Sequence, residues 1–197
     1  RFSTQQSALS NLMTRFLLIR HGMTDAVNLL MTGRRPGLHL NTLGQQQAAT
    51  LPLRLRGVAI DALYVSPLER TQETAAPLAA ERGLTPQVEP RFTEIEYGQW
   101  TGLRYADLAG TPEWDLYNRV RGVTRAPGGE SLLDIQQRSV EALLELTSRH
   151  DGQTVAVVSH ADTLRAVLLY VMGMPVDYVQ RLELSPGRIS VVELGAG

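Results

Sequence analysis

The stretch from Phe16 to Gly22 constrains the fold of this chain more than any other. Four apolar residues, Phe-Leu-Leu-Ile, lead directly into Arg20-His21-Gly22. A short apolar run that ends at a turn residue is typical of a buried strand in an α/β sheet. Because ligands of such sheets bind in the crevice at the carboxyl ends of the strands, we expect this strand to deliver Arg20 and His21 to a functional site.

The composition narrows the chemistry that this site can use. The 197 residues include no Cys, and all 19 basic residues are Arg. A thiolate nucleophile, a Cys-based metal site, a Schiff-base lysine and a P-loop lysine are therefore excluded. Any bound anion must be held by Arg, His or backbone amides. The net charge of −1 gives no reason to expect a nucleic acid or a membrane surface as partner.

Hydrophobic periodicity and capping residues predict the remaining elements. Helices are predicted over 42–56, 66–82, 131–149 and 161–172, and strands over 62–65, 87–89 and 154–159. Thr42 and Gln45 fit a capping box, and Ser66 is predicted as the N-cap of the second helix. Residues 182–184 and 189–194 predict a terminal hairpin around Ser185-Pro186-Gly187. The sequence contains no run of about 18 apolar residues, so no membrane-spanning segment is predicted.

Three of these strands end in polar side chains that can meet at one sheet edge. In a mostly parallel sheet the carboxyl ends lie together, and two of the following helices contribute N-termini with free amides and positive dipole ends. Such an edge attracts anions, and a neutral imidazole there can act as a nucleophile towards phosphorus. The residues at these ends are Arg20 and His21, then Ser66 and Arg70, then Ser159 and His160.

Six segments, in order along the chain, resemble the motifs of the histidine phosphatase (phosphoglycerate-mutase-like) superfamily. Together they cover nearly everything from Arg15 to Leu194. The segments read L-I-R-H-G-M-T-D-A-V-N, T-G-R-R-P-G-L-H-L-N-T-L-G-Q-Q-Q-A, S-P-L-E-R-T-Q-E-T-A, E-I-E-Y-G-Q-W-T-G, P-G-G-E-S and V-V-S-H-A-D. The resemblance implies a three-layer α/β/α fold with a mixed, mostly parallel six-stranded sheet, in which the first and fourth strands are neighbours.

The resemblance also implies a role for each matching residue. His21 would be the phosphorylated nucleophile, and Glu94 the general acid and base. Arg20, Arg70 and His160 would bind the phosphoryl group and complete the catalytic set. Further phosphate contacts would come from Asn28, Thr32, Gly33 and Ala161. No metal or other cofactor is implied.

Several residues keep alternative interpretations. Glu96 lies two residues after Glu94 and competes with it for the acid role, although the motif match favours Glu94. Asp162 beside His160 is compatible with a metal pair, but no further ligands have suitable spacing. Three arginines form either a solvated face, which we favour, or a site for a second anionic group of the substrate: Arg34, Arg121 and Arg125.

The reaction predicted is metal-independent hydrolysis of a small phosphomonoester, such as a sugar phosphate or a nucleotide-like ester. Glycolytic mutases of the superfamily carry R-H-Y-G after the acid, whereas this chain has I-E-Y-G, and Glu96 disfavours a multiply anionic phosphoglycerate. The H-A-D sequence at 160–162 resembles a branch described as phosphomutases, so a phosphomutase is the alternative. A phosphoprotein phosphatase or a binding module is a weaker alternative.

The domain organisation and the setting are predicted as follows. Residues 1–14 are an N-terminal extension or a cloning remnant, and residues 15–197 form a single histidine phosphatase domain. The aromatic segment 90–129 is either a cap or lid over the site or a surface insertion with its own small core. We expect a small phosphorylated metabolite as partner, no nucleic acid and no membrane, and a cytoplasmic location. A homodimer is left open.

Overall fold

The computed structural model describes residues 13–195, whose centre is a five-stranded mixed sheet. The strand order is β3-β2-β4-β1-β5, in which only β5 is antiparallel to its neighbour. The predicted mixed, mostly parallel sheet is confirmed. The strands are β1 (Met13–Arg20), β2 (Ala62–Val65), β3 (Gln87–Val88), β4 (Thr154–Ser159) and β5 (Ile189–Gly195).

Helices cover both faces of the sheet, which gives the predicted three layers. The helices are α1 (Thr42–Arg54), α2 (Glu69–Arg82), α3 (Tyr105–Leu108), α4 (Pro112–Arg119), α5 (Leu132–Arg149) and α6 (Ala161–Val171), with 3-10 helices at Pro90–Phe92, Gly98–Trp100 and Val176–Arg181. None of the helices among residues 13–195 has the length and apolar character needed to cross a membrane.

Side chains of β1 alternate between the two faces because successive residues of a strand point to opposite sides. Leu17 and Ile19 pack against α1 and α2 in one apolar cluster. Phe16 and Leu18 pack against α5 and α6 in another. The central strand is therefore buried on both sides, as the uninterrupted apolar run of its sequence predicts.

The sheet has five strands rather than the predicted six because the terminal hairpin does not form. β5 pairs with β1 instead, with Ile19 opposite Ile189. Residues 182–184 have no regular structure, and the carbonyl oxygens of Leu182 and Leu184 accept hydrogen bonds from the Arg165 and Arg20 side chains. Side-chain donors thus take the place of a strand partner.

Two predicted capping residues are wrong, and each for a local reason, although α1 begins at Thr42 as predicted. The N-cap of α1 is Asn41, whose side-chain oxygen accepts from the Gly44 amide at 3.0 Å, one residue before the predicted Thr42. Helix α2 begins at Glu69, because the hydroxyl of Ser66 pairs with His160 instead of capping the helix. In contrast, α5 begins next to the predicted position, with Ser131 as its N-cap and a capping box formed with Asp134.

Segment 90–129 has an aromatic core of its own. The Trp100 ring lies 5.8 Å from Trp114 and 5.2 Å from Tyr117, between centroids. The segment also contacts the site, since Tyr97 and Tyr105 line the cavity described below. A role as a lid stays a prediction. Of the predicted extension, residues 1–12 lie outside the described part, whereas Met13 and Thr14 belong to β1.

Candidate active site

His21 is held rigidly at the carboxyl end of β1. Its backbone amide donates to the Ser159 carbonyl at 2.9 Å, and its Nδ1 lies 2.7 Å from the Gly22 carbonyl oxygen. A carbonyl oxygen only accepts, so Nδ1 carries the proton and Nε2 keeps a free lone pair. Burial, together with the nearby Arg70 and Arg20, lowers the pKa of His21 to about 3. The imidazole is therefore neutral near pH 7, the state in which an imidazole can act as a nucleophile.

His160 lies beside His21 at the end of β4. The two ring centroids are 5.3 Å apart, and the rings meet edge to face. Its Nε2 is 2.7 Å from the Ser66 hydroxyl oxygen, while its buried Nδ1 has no hydrogen-bond partner among the described residues. Burial and the charge of Arg70 lower the pKa of His160. An anion bound against Nδ1 would reverse the Coulombic part of this shift and favour a protonated ring.

Two arginines are each anchored by a backbone carbonyl, which leaves other donors unpaired. Arg70 is only 1% exposed, and its Nη2 donates to the Gly33 carbonyl at 2.8 Å. Arg20 donates from Nη1 to the Leu184 carbonyl. Within the described residues, Nε of both arginines and Nη1 of Arg70 have no partner. Buried donors are seldom left unpaired in proteins, so these atoms indicate a place for an anion.

Glu94 is the acidic residue of the site. Its Oε1 accepts from the Ile95 amide at 3.0 Å, and its backbone carbonyl accepts from Arg34 at 3.0 Å and Arg138 at 3.1 Å. Burial raises the pKa of Glu94, with a further contribution from the negative charge of Asp162. A carboxyl group with a raised pKa can hold a proton for donation near neutral pH.

Glu96, the competitor for the acid role, is used inside its own loop. Its carboxylate accepts from the Gly98 amide at 3.0 Å, and it does not line the cavity. The geometry therefore favours Glu94 over Glu96, as the motif match does.

A cavity of about 110 Å³ brings most of the predicted residues together. Two of the nine do not line it: His160 lies against His21, and Gly33 contributes the carbonyl that anchors Arg70. Asn28 has a positive φ of 62°, unusual for a residue with a side chain. The seven predicted residues that line the cavity are Arg20, His21, Asn28, Thr32, Arg70, Glu94 and Ala161.

The sequence reasoning missed several wall residues, among them Tyr97, Tyr105 and Arg165. Arg165 could have been found, because it follows Asp162 by three residues on α6 and so shares its face. Tyr105 had no comparable signal, since it reaches the cavity through the irregular segment 90–129. Burial, and then the charge of Asp162, raises the pKa of Tyr105 to about 12, so its hydroxyl is a neutral donor or acceptor.

The favoured interpretation of Arg121 as a solvated residue is wrong. It is 8% exposed, and its Nη2 donates to Asp162 at 2.9 Å. Arg34 is paired with Glu130 and Arg125 with Asp134, both nearer the surface. Asp162, which the sequence left open as part of a metal pair, is paired with two arginines, Arg121 and Arg165. Among residues 13–195 no cluster of three His, Cys, Asp or Glu side chains is placed to hold a metal ion.

These features define an α/β protein with a buried pocket suited to an anion, in which a neutral histidine lies among arginines. The family model of the histidine phosphatase superfamily (branch 1) matches residues 16–197, and the chain belongs to this superfamily. Some relatives of the chain are named as phosphatases, and one is named as a phosphoglycerate mutase.

Three relatives illustrate the range. Phosphoserine phosphatase 1 of Hydrogenobacter thermophilus is 32% identical over 167 residues, 82% of this chain and 78% of that protein. The 2,3-bisphosphoglycerate-dependent phosphoglycerate mutase of Beijerinckia indica is 32% identical over 182 residues, 87% of each chain. A mycobacterial glucosyl-3-phosphoglycerate phosphatase, solved with VO3, has a TM-score of 0.82 at 28% identity, covering 90% of this chain and 92% of that one. Three other mycobacterial relatives are longer, and this chain covers 51% of the length of each.

The unpaired donors predict that Arg70→Met weakens binding of a phosphate-like oxyanion. A hydrogen bond to a charged group contributes about 1.5–3 kcal/mol, so we expect a loss of at least about tenfold in affinity for vanadate or phosphate, measured by titration calorimetry. Arg125→Met is the matched control, because its side chain is paired with Asp134 at the surface. Equal affinities for both variants would show that Arg70 does not contact the anion.

Proposed function

We propose that the protein is a phosphatase that hydrolyses a small phosphomonoester through a phosphohistidine at His21, without a metal. One observation carries the proposal: Nδ1–H of His21 is committed to the Gly22 carbonyl, so the lone pair of Nε2 is available in a cavity with unpaired arginine donors. An imidazole in this state can attack phosphorus while the guanidinium groups offset the charge on the phosphoryl oxygens.

In the first step a bond forms between His21 Nε2 and phosphorus, and the bond from phosphorus to the ester oxygen breaks. The protonated carboxyl of Glu94 gives its proton to the leaving oxygen, which departs as an alcohol. In the second step water attacks the phosphohistidine, its proton returns to Glu94, and the P–N bond breaks. Arg20, Arg70 and a protonated His160 hold the phosphoryl oxygens throughout, with Asn28, Thr32 and Ala161 around them. The predicted contact from Gly33 is replaced by an indirect role, since its carbonyl anchors Arg70.

The small cavity supports a small substrate rather than a phosphoprotein. The choice of hydrolysis over isomerisation is supported by the phosphatase relatives and by the residues after Glu94. Ile95 is fully buried and Glu96 faces its own loop, so neither position supplies the cations that the R-H-Y-G segment brings in glycolytic mutases. Because Glu96 does not line the cavity, its carboxylate cannot repel a multiply anionic phosphoglycerate by direct contact. This part of the sequence argument against a mutase is therefore weakened.

A phosphomutase is the second candidate, since the Beijerinckia indica relative is named as one. We expect free phosphate from a panel of phosphorylated metabolites, and no isomer from 3-phosphoglycerate with its bisphosphate. Both products can be followed by phosphate assay and by ³¹P NMR. Isomer formation without phosphate release would establish the mutase instead.

His21→Ala is expected to lower phosphate release by at least about a thousandfold, because the nucleophile is lost. The wild-type enzyme should retain its rate in excess EDTA and yield an acid-labile phosphoprotein when quenched during turnover, as seen by mass spectrometry. His39→Ala is the matched control, since His39 pairs with Glu73 at the surface. Strict dependence on an added metal would contradict the mechanism.

Glu94→Gln is expected to slow turnover according to the leaving group. Gln cannot donate the proton that a poor leaving group needs, so phenyl phosphate should lose about 10²–10⁴-fold, and activated p-nitrophenyl phosphate much less. Glu96→Gln serves as the control. It makes the same substitution two residues away, at a carboxylate that does not line the cavity. An equal loss on both esters in Glu94→Gln would show that Glu94 is not the acid.

A cytoplasmic location and the single-domain organisation stay predictions from the sequence, and the question of a homodimer stays open.

A further inference from the structure

Asp162 joins three parts of the molecule through one buried carboxylate. Its Oδ2 accepts from the Tyr97 hydroxyl and from Arg121 Nη2, both at 2.9 Å, and its Oδ1 accepts from Arg165 Nη1 at 3.1 Å. Tyr97 belongs to the loop that carries Glu94, Arg121 follows α4, and Asp162 itself lies in the first turn of α6. The proposed mechanism gives this carboxylate no role.

The connection is short on both sides. Tyr97 follows Glu94 by three residues, and Asp162 follows His160 by two. The Tyr97 ring is itself confined, since it is 7% exposed and packs in an apolar cluster with Ile95 and Trp100. Because the ring is confined, a displacement of the Tyr97 hydroxyl would also displace the loop of Glu94 relative to His160.

We propose that Asp162 is a positioning residue for this reaction: it ties the loop that carries Glu94 to the helix that follows His160, and it places a fixed negative charge beside the Glu94 carboxyl. The inference rests on the proposed function, in which Glu94 is the acid. Asp162 does not touch the phosphoryl group in this mechanism. It acts through Glu94, both by geometry and by its field.

The charge of Asp162 is preserved by its partners. Burial alone would raise its pKa, but Arg121 and Arg165, with the hydrogen bonds from Tyr97 and Arg121, hold the pKa below its ordinary value. The carboxylate is thus ionised whenever the enzyme works near neutral pH. A fixed negative charge favours the protonated form of a neighbouring carboxyl.

The field at Glu94 has contributions from every element around it. Burial raises the pKa of Glu94 most, and Asp162 raises it further, whereas Arg70, Arg20 and the Ile95 amide lower it. The charged and titratable groups around it are Arg20 and His21 from β1, Arg34 from the following loop, Arg70 from α2, Tyr97 and Tyr105 from segment 90–129, Arg138 from α5, and His160, Asp162 and Arg165 from β4 and α6.

The sign of the effect follows from this balance. Asp162→Asn removes the negative charge that favours protonated Glu94 and leaves the positive charges of Arg121 and Arg165 uncompensated. Both changes lower the pKa of Glu94. A general acid works only when protonated, so activity is lost as pH rises through that pKa, and the basic limb of the pH profile should move to lower pH.

The experiment compares Asp162→Asn with Tyr97→Phe, which removes the tether from Tyr97 but keeps the charge of Asp162. We measure kcat/KM against pH with phenyl phosphate and p-nitrophenyl phosphate. In Asp162→Asn the basic limb should move down by at least about half a unit, and phenyl phosphate should lose more rate than p-nitrophenyl phosphate. In Tyr97→Phe the limb should keep its position while the rate on phenyl phosphate falls.

Loss of folding would not obscure the result. Removing one member of a buried ion pair leaves the other unpaired, so Asp162→Asn combined with Arg121→Met is made as well. The double variant should still show a downward movement, because the negative charge of Asp162 is absent. The movement should be smaller than in Asp162→Asn alone, because the positive charge of Arg121 is removed as well. The inference would be overturned if the basic limb and the leaving-group dependence were unchanged both in Asp162→Asn and in its combination with Arg121→Met.

Glu94→Gln separates this inference from the proposed function. If that variant keeps the basic limb, Glu94 is not the acid and the proposed function fails. If it loses the limb while the Asp162 variants leave it in place, the proposed function stands and only the role of Asp162 is wrong.

Discussion

The parallel pairing of β1 with β4 is the constraint on which the site depends. Arg20 lies opposite Ser159 in this pair, and the next amide along β1, that of His21, donates to the Ser159 carbonyl at 2.9 Å. One more residue on each strand places the two imidazoles against each other. A slip of one residue in this register would turn every side chain of β1 to the other face of the sheet and would separate the two histidines.

Arginine suits the buried position 70 at this sheet edge better than lysine would. Arg70 must be held by the fold and still present donors to a ligand, and a guanidinium group can do both because its five N–H bonds point in fixed directions. One direction meets the Gly33 carbonyl, while Nε and Nη1 have no partner among the described residues. Burial lowers the pKa of this guanidinium, yet arginine starts high enough to stay charged. A buried ammonium group would lose its charge more readily.

The site could be predicted from the sequence wherever a strand or a helix start delivers the residue. Arg20, His21 and His160 were found because buried strands end at them, and the element carries them to a known edge. The predictions that failed concern side chains with more than one possible hydrogen-bond partner. Ser66 could cap α2 or pair with His160, and the sequence does not indicate which of the two contacts forms. Arg121 was assigned to solvent because its partner, Asp162, is 41 residues away. Long-range pairs of this kind leave no local pattern.

The buried pair of Arg121 and Asp162 also constrains how segment 90–129 can move. Tyr97 and Arg121 both belong to this segment, and both donate to Asp162 in the first turn of α6. Swinging the segment away from α6 would break both contacts together. An open site would therefore also be one in which the loop of Glu94 is released from the helix that follows His160.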